Sequence, residues 1–296
     1  MNPIYKPQIC NLKELNNLFI ELTAKNCNRR CKHCYIDFPY SKNVKDFISI
    51  DTIKEALIDT KSENIQCIYL TGAEPMTHPE FNAILRLCLK RTNVCICTNG
   101  SFINEKKARF LKRVEDESNY EIIFQLSIDH YDEIKSDDLR GRGTYRQTLN
   151  AIKSLIKHNF NPILCITDYY NEGKENLLNG FKTVCEKINF QASENNFKIN
   201  KFHNKTNNEI DFEENWQKLD CENSRILTTK GVYTCPFLAN DHRGRSGCDF
   251  KNYAHKTILE TDFCATCLKN KTQIFSIDFS KFWKLFFSVQ FHFVIN

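Results

Sequence analysis

Three cysteines, Cys27, Cys31 and Cys34, are spaced C-x3-C-x2-C and follow the apolar run Leu18-Phe19-Ile20-Glu21-Leu22-Thr23. A strand over 18–23 delivers three thiolates on one short loop at its C-terminal end. Three close thiolates hold three irons of a [4Fe–4S] cube and leave the fourth iron open, whereas a closed electron-transfer cluster takes a fourth thiolate. The next cysteine, Cys67, is far away and inside an expected strand. An open coordination position is where a metal does chemistry rather than structure, an argument made for zinc that carries over to iron. The alternative is a structural zinc knuckle. It needs a nearby fourth ligand, and His33, wedged between two of the cysteines, is the candidate.

The chain has 296 residues, enough for one large α/β domain and a small second one. Its fifteen cysteines are the anomaly of composition. The N-terminus, Met1-Asn2-Pro3-Ile4-Tyr5-Lys6, has no apolar core of a secretory signal. Without an oxidising compartment, cysteines favour metal or redox use over disulfides. A cytoplasmic, reducing and oxygen-poor setting is expected. The net charge of +5 is mild and spread out, so nucleic acid is not an expected partner. No apolar run reaches the length of a membrane span.

Apolar runs rich in Ile predict strands over 18–23, 65–71, 93–98, 121–129, 162–167 and, weakly, 197–202. Three-to-four spacing predicts helices over 50–62, 79–90, 104–114, 144–159 and 174–188. Asp51 and Asn104 are expected caps of the first and third, and Pro79 opens the second. Repeated βα units give a parallel sheet. About six units are too few for a closed eight-stranded barrel, so the expected fold is α/β, an open partial (β/α)6 barrel. Ligands in such sheets sit at the C-terminal ends of the strands, where the cysteine loop falls.

Other strand ends carry polar groups. Residues 65–70 run into Thr71-Gly72-Ala73-Glu74-Pro75, where Gly72 permits close backbone approach and Glu74 offers a carboxylate to an ammonium. The next strands end in Thr98-Asn99-Gly100 and Leu126-Ser127-Ile128-Asp129. Downstream, Arg140 offers a guanidinium suited to a carboxylate, though Asp137 and Asp138 beside it also fit a solvated loop arginine.

Together these residues resemble the radical S-adenosylmethionine (radical SAM) superfamily. The resemblance covers most of residues 18–200. The cysteine spacing is the superfamily's commonest, with the aromatic Tyr35 after the third cysteine, and Gly72-Ala73-Glu74-Pro75 looks like its GGEP motif with Ala73 in place of the second glycine. The resemblance implies that Cys27, Cys31 and Cys34 ligate a [4Fe–4S] cluster whose open iron chelates S-adenosylmethionine. It implies Gly72 and Glu74 at the amino end, Asn99, Ser127 and Asp129 near the ribose, Arg140 on the methionine carboxylate, and the Tyr35 backbone at the adenine. It also implies the reaction: one-electron reduction breaks the S–C5′ bond, and the 5′-deoxyadenosyl radical takes hydrogen from an unactivated C–H bond. The cofactor carries the hard chemistry.

A second cysteine group lies between 220 and 272: Cys221, Cys235, Cys248, Cys264 and Cys267. It resembles the C-terminal extensions of radical SAM enzymes called SPASM and twitch domains. Cys221, Cys235, Cys264 and Cys267 would fill one auxiliary [4Fe–4S] cluster, with Cys248 able to replace one of the four. A four-cysteine zinc ribbon stapling a small domain is the alternative. The remaining cysteines, Cys10, Cys67, Cys88, Cys95, Cys97, Cys165 and Cys185, read as small buried hydrophobes.

The expected organisation is a lead-in over 1–17, the radical SAM core over 18–203, a polar linker over 204–219, the auxiliary cluster domain over 220–272, and an aromatic tail over 273–296. The tail is read as a terminal helix covering the core, with a membrane-surface helix as the weaker alternative. The expected function is hydrogen abstraction from a peptide, a protein or a small metabolite, with the auxiliary cluster as electron acceptor. A reductant such as flavodoxin or ferredoxin is the implied partner. The alternative function is an iron–sulfur electron carrier or redox sensor without S-adenosylmethionine chemistry.

Overall fold

In the computed structural model the described residues are 8–36, 46–201, 219–239, 241–270 and 274–277. The expected linker over 204–219, save Leu219, and the tail beyond 277 lie outside them.

The elements in chain order begin with β1 (Gln8–Asn11), β2 (Asn17–Thr23), α1 (Ile50–Asp59), β3 (Cys67–Gly72), α2 (Phe81–Leu89), β4 (Asn93–Thr98) and α3 (Glu105–Asp116). There follow β5 (Ile122–Ser127), α4 (Glu133–Arg140), α5 (Thr144–Lys157), β6 (Ile163–Asp168), α6 (Lys174–Lys187) and β7 (Phe197–Lys201). The C-terminal part holds β8 (Ser224–Thr228), β9 (Gly231–Tyr233), β10 (Arg245–Gly247), β11 (Lys256–Leu259) and α7 (Asp262–Asn270). One sheet runs β10-β9-β8-β2-β3-β4-β5-β6-β7. From β8 to β7 every neighbouring pair is parallel, and β9 and β10 are antiparallel additions. The six expected strands are β2 to β7, adjacent and in chain order, and the sheet does not close.

Parallel strands are buried on both faces and therefore read as continuous apolar runs. Here alternation separates two cores. Leu18, Ile20, Leu22, Ile68, Leu70, Val94, Ile96, Phe124 and Leu126 pack with the helices. Phe19, Cys67, Tyr69, Cys95, Ile123 and Ile163 form the other cluster, from the alternate positions of the same strands. Cys67, Cys88, Cys95 and Cys185 are buried as expected of small hydrophobes.

Three local expectations change. Ser49, not Asp51, caps α1, its side chain accepting from the Thr52 N–H; Asp51 sits inside the first turn. Asn104 caps α3 as expected. Pro79 precedes α2, which starts at Phe81, while Pro75 heads a short 3-10 turn over Pro75–Thr77. Helix α4 has no counterpart in the apolar pattern. Asp132 caps it by accepting from the Lys135 N–H, and Gly141 ends it at φ 103°. Its charged surface, with only Ser136, Leu139 and Arg140 buried, hides the periodicity.

The segment expected as a small C-terminal domain shares the main sheet. β8 pairs parallel to β2, and β8 and β9 form an antiparallel hairpin. The expected lead-in contributes β1, which pairs antiparallel with β11, matching Cys10 with Thr257. No helix of the described residues is long and apolar enough to cross a membrane.

Candidate active site and a second cysteine pocket

A cavity of 590 Å³ opens at the C-terminal ends of the strands. Such a volume suits a small-molecule ligand. Every residue expected to touch S-adenosylmethionine or the first cluster lines it: Cys27, Cys31, Cys34, Tyr35, Gly72, Glu74, Asn99, Ser127, Asp129 and Arg140.

Backbone bonds fix the cysteine loop against the Glu74 loop. Ala73 N–H donates to Thr23 O at 2.7 Å and Glu74 N–H to Asn26 O at 3.0 Å. Gly72 stands at φ +132°, a region that favours glycine, and a Cβ there would lie 2.3 Å from Thr23 O. The close approach of β3 to β2 at this point therefore requires Gly72. The Glu74 carboxylate is 1% exposed. It accepts from Met76 N–H at 3.2 Å, Thr98 Oγ1 at 2.7 Å and Asn99 N–H at 2.9 Å. A carboxylate has about four acceptor sites, so three donors leave it capacity for one more. Burial pushes the Glu74 carboxyl up, and those donors oppose the rise.

Asn99 bridges the carboxylate to the cysteines. Its Nδ2 donates to Asn28 Oδ1 at 3.0 Å and lies 3.8 Å from Cys27 Sγ, and its Oδ1 accepts from Ser101 N–H at 2.9 Å. The three thiols are half-buried. Burial raises the Cys27 thiol and pushes the Cys34 thiol up to about 11. Iron binding must displace those protons.

The Arg140 expectation is altered by α4. Arg140 ends that helix, 8% exposed, and its Nη1 donates to Asp129 Oδ2 at 2.6 Å. Asp137 and Asp138 are otherwise engaged: Asp137 accepts from Gly143 and Tyr145 N–H, and Asp138 pairs with Lys32. The Asp129 carboxylate is 2% exposed and meets His33 Nε2 at 3.0 Å and Thr167 N–H at 3.0 Å. Burial alone would raise this carboxyl, but Arg140 and His33 outweigh it and hold it well below the usual range. His33 is thus a cavity residue committed to a carboxylate, a role sequence reasoning missed. Its Nδ1 is buried without a hydrogen-bond partner.

The far wall is apolar and comes from the C-terminal part: Phe237, Phe263, Ile274 and Phe275. Tyr35 packs edge-on against Phe237 and Phe275, with ring centroids 5.4 and 6.0 Å apart. The Asp220 carboxylate pins the 274–277 segment by accepting from the N–H groups of Ile274, Phe275 and Ser276 at 2.7–3.0 Å. The expected tail therefore starts with residues that line the cavity. Cys97 and Cys165 also line it, half-buried rather than core.

Behind Phe237, Phe263 and Phe275 lies a narrow pocket lined by Cys221, Cys235, Cys264 and Cys267. Cys264 and Cys267 stand one turn apart on α7, on one helix face. Cys235 precedes the turn Pro236–Leu238, and burial pushes its thiol up to about 12. Cys248, the expected substitute ligand, is exposed and outside this lining. Cys10, expected as a plain core residue, lies 3.2 Å from Cys221, sulfur to sulfur. Among the described residues no three His, Cys, Asp or Glu side chains close on a single metal ion. A cube takes one thiolate per iron, so its ligands stand farther apart than ligands sharing one ion.

Comparison with known proteins agrees with this arrangement. The radical SAM superfamily model matches residues 22–177, more than half of the chain. No curated protein matches the sequence. Among solved structures, anSMEcpe with bound AdoMet is similar at 15% identity and a TM-score of 0.61, over 80% of this chain and 78% of that one. SuiB of Streptococcus suis bound to S-adenosylmethionine is similar at 12% identity and a TM-score of 0.60, over 78% of this chain and 62% of SuiB. SuiB bound to the precursor peptide SuiA is similar at 15% identity and a TM-score of 0.52, over 65% of this chain and 40% of that one. These identities speak to the fold, which the neighbours share. The family match, the cysteine loop and the cavity beneath it lead to one assignment: the chain belongs to the radical SAM superfamily.

Proposed function

We propose that this protein is a radical SAM enzyme that removes hydrogen from a peptide, a protein or a small metabolite, with a second cluster in the C-terminal pocket as electron acceptor. The observation that carries the reading is the linkage of Cys27, Asn99 and Glu74 within one cavity. Cys27, Cys31 and Cys34 are the residues to hold a [4Fe–4S] cluster, and the polar strand ends beside them are the residues to hold S-adenosylmethionine. The chemistry those groups supply when bound is reductive cleavage to a 5′-deoxyadenosyl radical.

The chain's own residues then have separable tasks. Glu74 receives the ammonium of S-adenosylmethionine, and Gly72 lets the backbone come close. Asn99 and Ser127 face the ribose. Arg140, with five N–H donors of which Nη1 serves Asp129, takes the methionine carboxylate. Asp129 holds Arg140 and His33 in place. The Tyr35 backbone meets the adenine. The Phe237, Phe263 and Phe275 wall excludes water from the reacting centre. A peptide substrate is supported by anSMEcpe and SuiB, which have both been solved with peptides. The reductant is a low-potential carrier of the flavodoxin or ferredoxin type.

The test is anaerobic purification, reduction by dithionite and assay for 5′-deoxyadenosine with S-adenosylmethionine and candidate peptides. Wild type is expected to form it and Cys31→Ala to form none. No product, together with a cluster EPR signal that S-adenosylmethionine leaves unchanged, would return the electron-carrier reading.

A further inference from the structure

The C-terminal pocket has two neighbours that no ligand pattern includes. Cys10 is 3% exposed, sits on β1 and reaches the pocket because β1 pairs with β11, the strand just before α7. Its sulfur is 3.2 Å from that of Cys221, yet it is not part of the pocket lining that Cys221, Cys235, Cys264 and Cys267 supply. Arg225, on β8, is 0% exposed. Its guanidinium donates to the carbonyls of Cys221 at 2.9 Å, Ser224 at 2.7 Å and His255 at 2.8 Å, with no carboxylate among these partners. Its ionisable neighbours include Cys221, Cys10 and Cys235, and its Nε is buried without a hydrogen-bond partner. A buried cation needs a compensating negative charge. Four thiolates around an iron–sulfur cube carry that charge.

We infer that Cys10 and Arg225 are positioning residues that raise the reduction potential of the C-terminal cluster: Cys10 by donating S–H to the Cys221 sulfur, Arg225 as the cluster's buried counter-ion. Without metal the Cys221 S–H points at the Cys10 sulfur, 3.2 Å away. A Cys221 sulfur bound to iron would have no proton to give, so at that distance Cys10 would be the partner able to donate. Hydrogen bonds to cluster sulfurs and nearby positive charge favour the reduced, more negative state. An acceptor tuned in this way takes an electron from the substrate side more readily, which deepens the proposed function and rests on it.

The test uses the full chain with Cys27, Cys31 and Cys34 all changed to Ala, reconstituted with iron and sulfide, so that only the C-terminal site reports. EPR-monitored redox titration compares this background with added Cys10→Ala, Cys10→Ser and Arg225→Met. The expected result is unchanged iron in the Cys10 variants. Cys10→Ala shifts the reduction equilibrium roughly tenfold toward the oxidised form, 59 mV for one electron, and Cys10→Ser restores it. Arg225→Met shifts the potential further in the same direction. Iron retained with no shift in Cys10→Ala overturns the role of Cys10. Iron lost in Cys10→Ala but kept in Cys221→Ala makes Cys10 a ligand and overturns it too. A background that holds no iron, or holds zinc instead, overturns the auxiliary-cluster reading itself.

Discussion

The two cysteine groups differ in the walls around them. Cys27, Cys31 and Cys34 are half-buried on an irregular loop and face a wide cavity ringed by Glu74, Asn99, Asp129 and Arg140. Cys221, Cys235, Cys264 and Cys267 come from three separate segments and face a narrow pocket of mostly apolar character. Three thiols facing polar space suit a cluster with one iron open to a ligand. Four thiols in a narrow apolar pocket suit a cluster that only passes electrons. The difference teaches that placement in the fold, more than cysteine count, decides what surrounds each group of thiols. Phe237, Phe263 and Phe275 border both spaces and form the partition between them.

The largest effect is expected where the polar side of this contrast is broken. Asp129→Ala leaves Arg140 buried without its carboxylate partner. Breaking such a pair costs about 3–5 kcal/mol. A urea melt should show this loss, with binding of S-adenosylmethionine weakened as well. The same pair sets a pH dependence. The Asp129 carboxyl is depressed in the folded protein, so its contribution is full above the ordinary carboxylate value near 4 and fades as the pH falls below it. The stability difference between wild type and Asp129→Ala should shrink in that acidic window. Equal differences at pH 3 and pH 7 would contradict the assignment.

A smaller effect is expected at the seam beneath the open site. Gly72→Ala forces a side chain into a positive-φ position against Thr23 O. The strain is worth about 1–3 kcal/mol. A lowered melting temperature together with weaker S-adenosylmethionine binding is expected, because the shift is passed to Glu74. The smallest effect is expected at Cys248, which is exposed and outside the lining of the narrow pocket. Cys248→Ala should leave iron content unchanged and stability within about 0.5 kcal/mol. Loss of iron in that variant would move the ligand set.

Much of this contrast was legible before the structure. The apolar runs marked β2 to β7, and the residues after them marked the polar rim, because strand pattern and strand-end chemistry are local. What was not legible depends on long-range pairing. Arg140 was legible as a carboxylate-binding guanidinium, but α4 is short and charged and leaves no apolar pattern, so its partner Asp129 emerges only when α4 folds. Cys10 read as core because its neighbour Cys221 is 211 residues away. Arg225 stands just before Ile226-Leu227 in a short, mostly polar stretch, and its complete burial leaves no mark in that pattern. The union of β8 with β2, and the pinning of 274–277 by Asp220, leave no periodic trace.

The central proposal is that this fold holds two separate iron–sulfur sites of different kind. The most direct measurement is iron and sulfide content, with EPR, after anaerobic reconstitution of three proteins. They are wild type, the triple alanine variant at Cys27, Cys31 and Cys34, and the quadruple alanine variant at Cys221, Cys235, Cys264 and Cys267. About eight irons in wild type and about four in each variant are predicted for two cubes, with S-adenosylmethionine perturbing the EPR signal only where the first site is intact. A quadruple variant that keeps all the wild-type iron, or a triple variant still perturbed by S-adenosylmethionine, would contradict the claim.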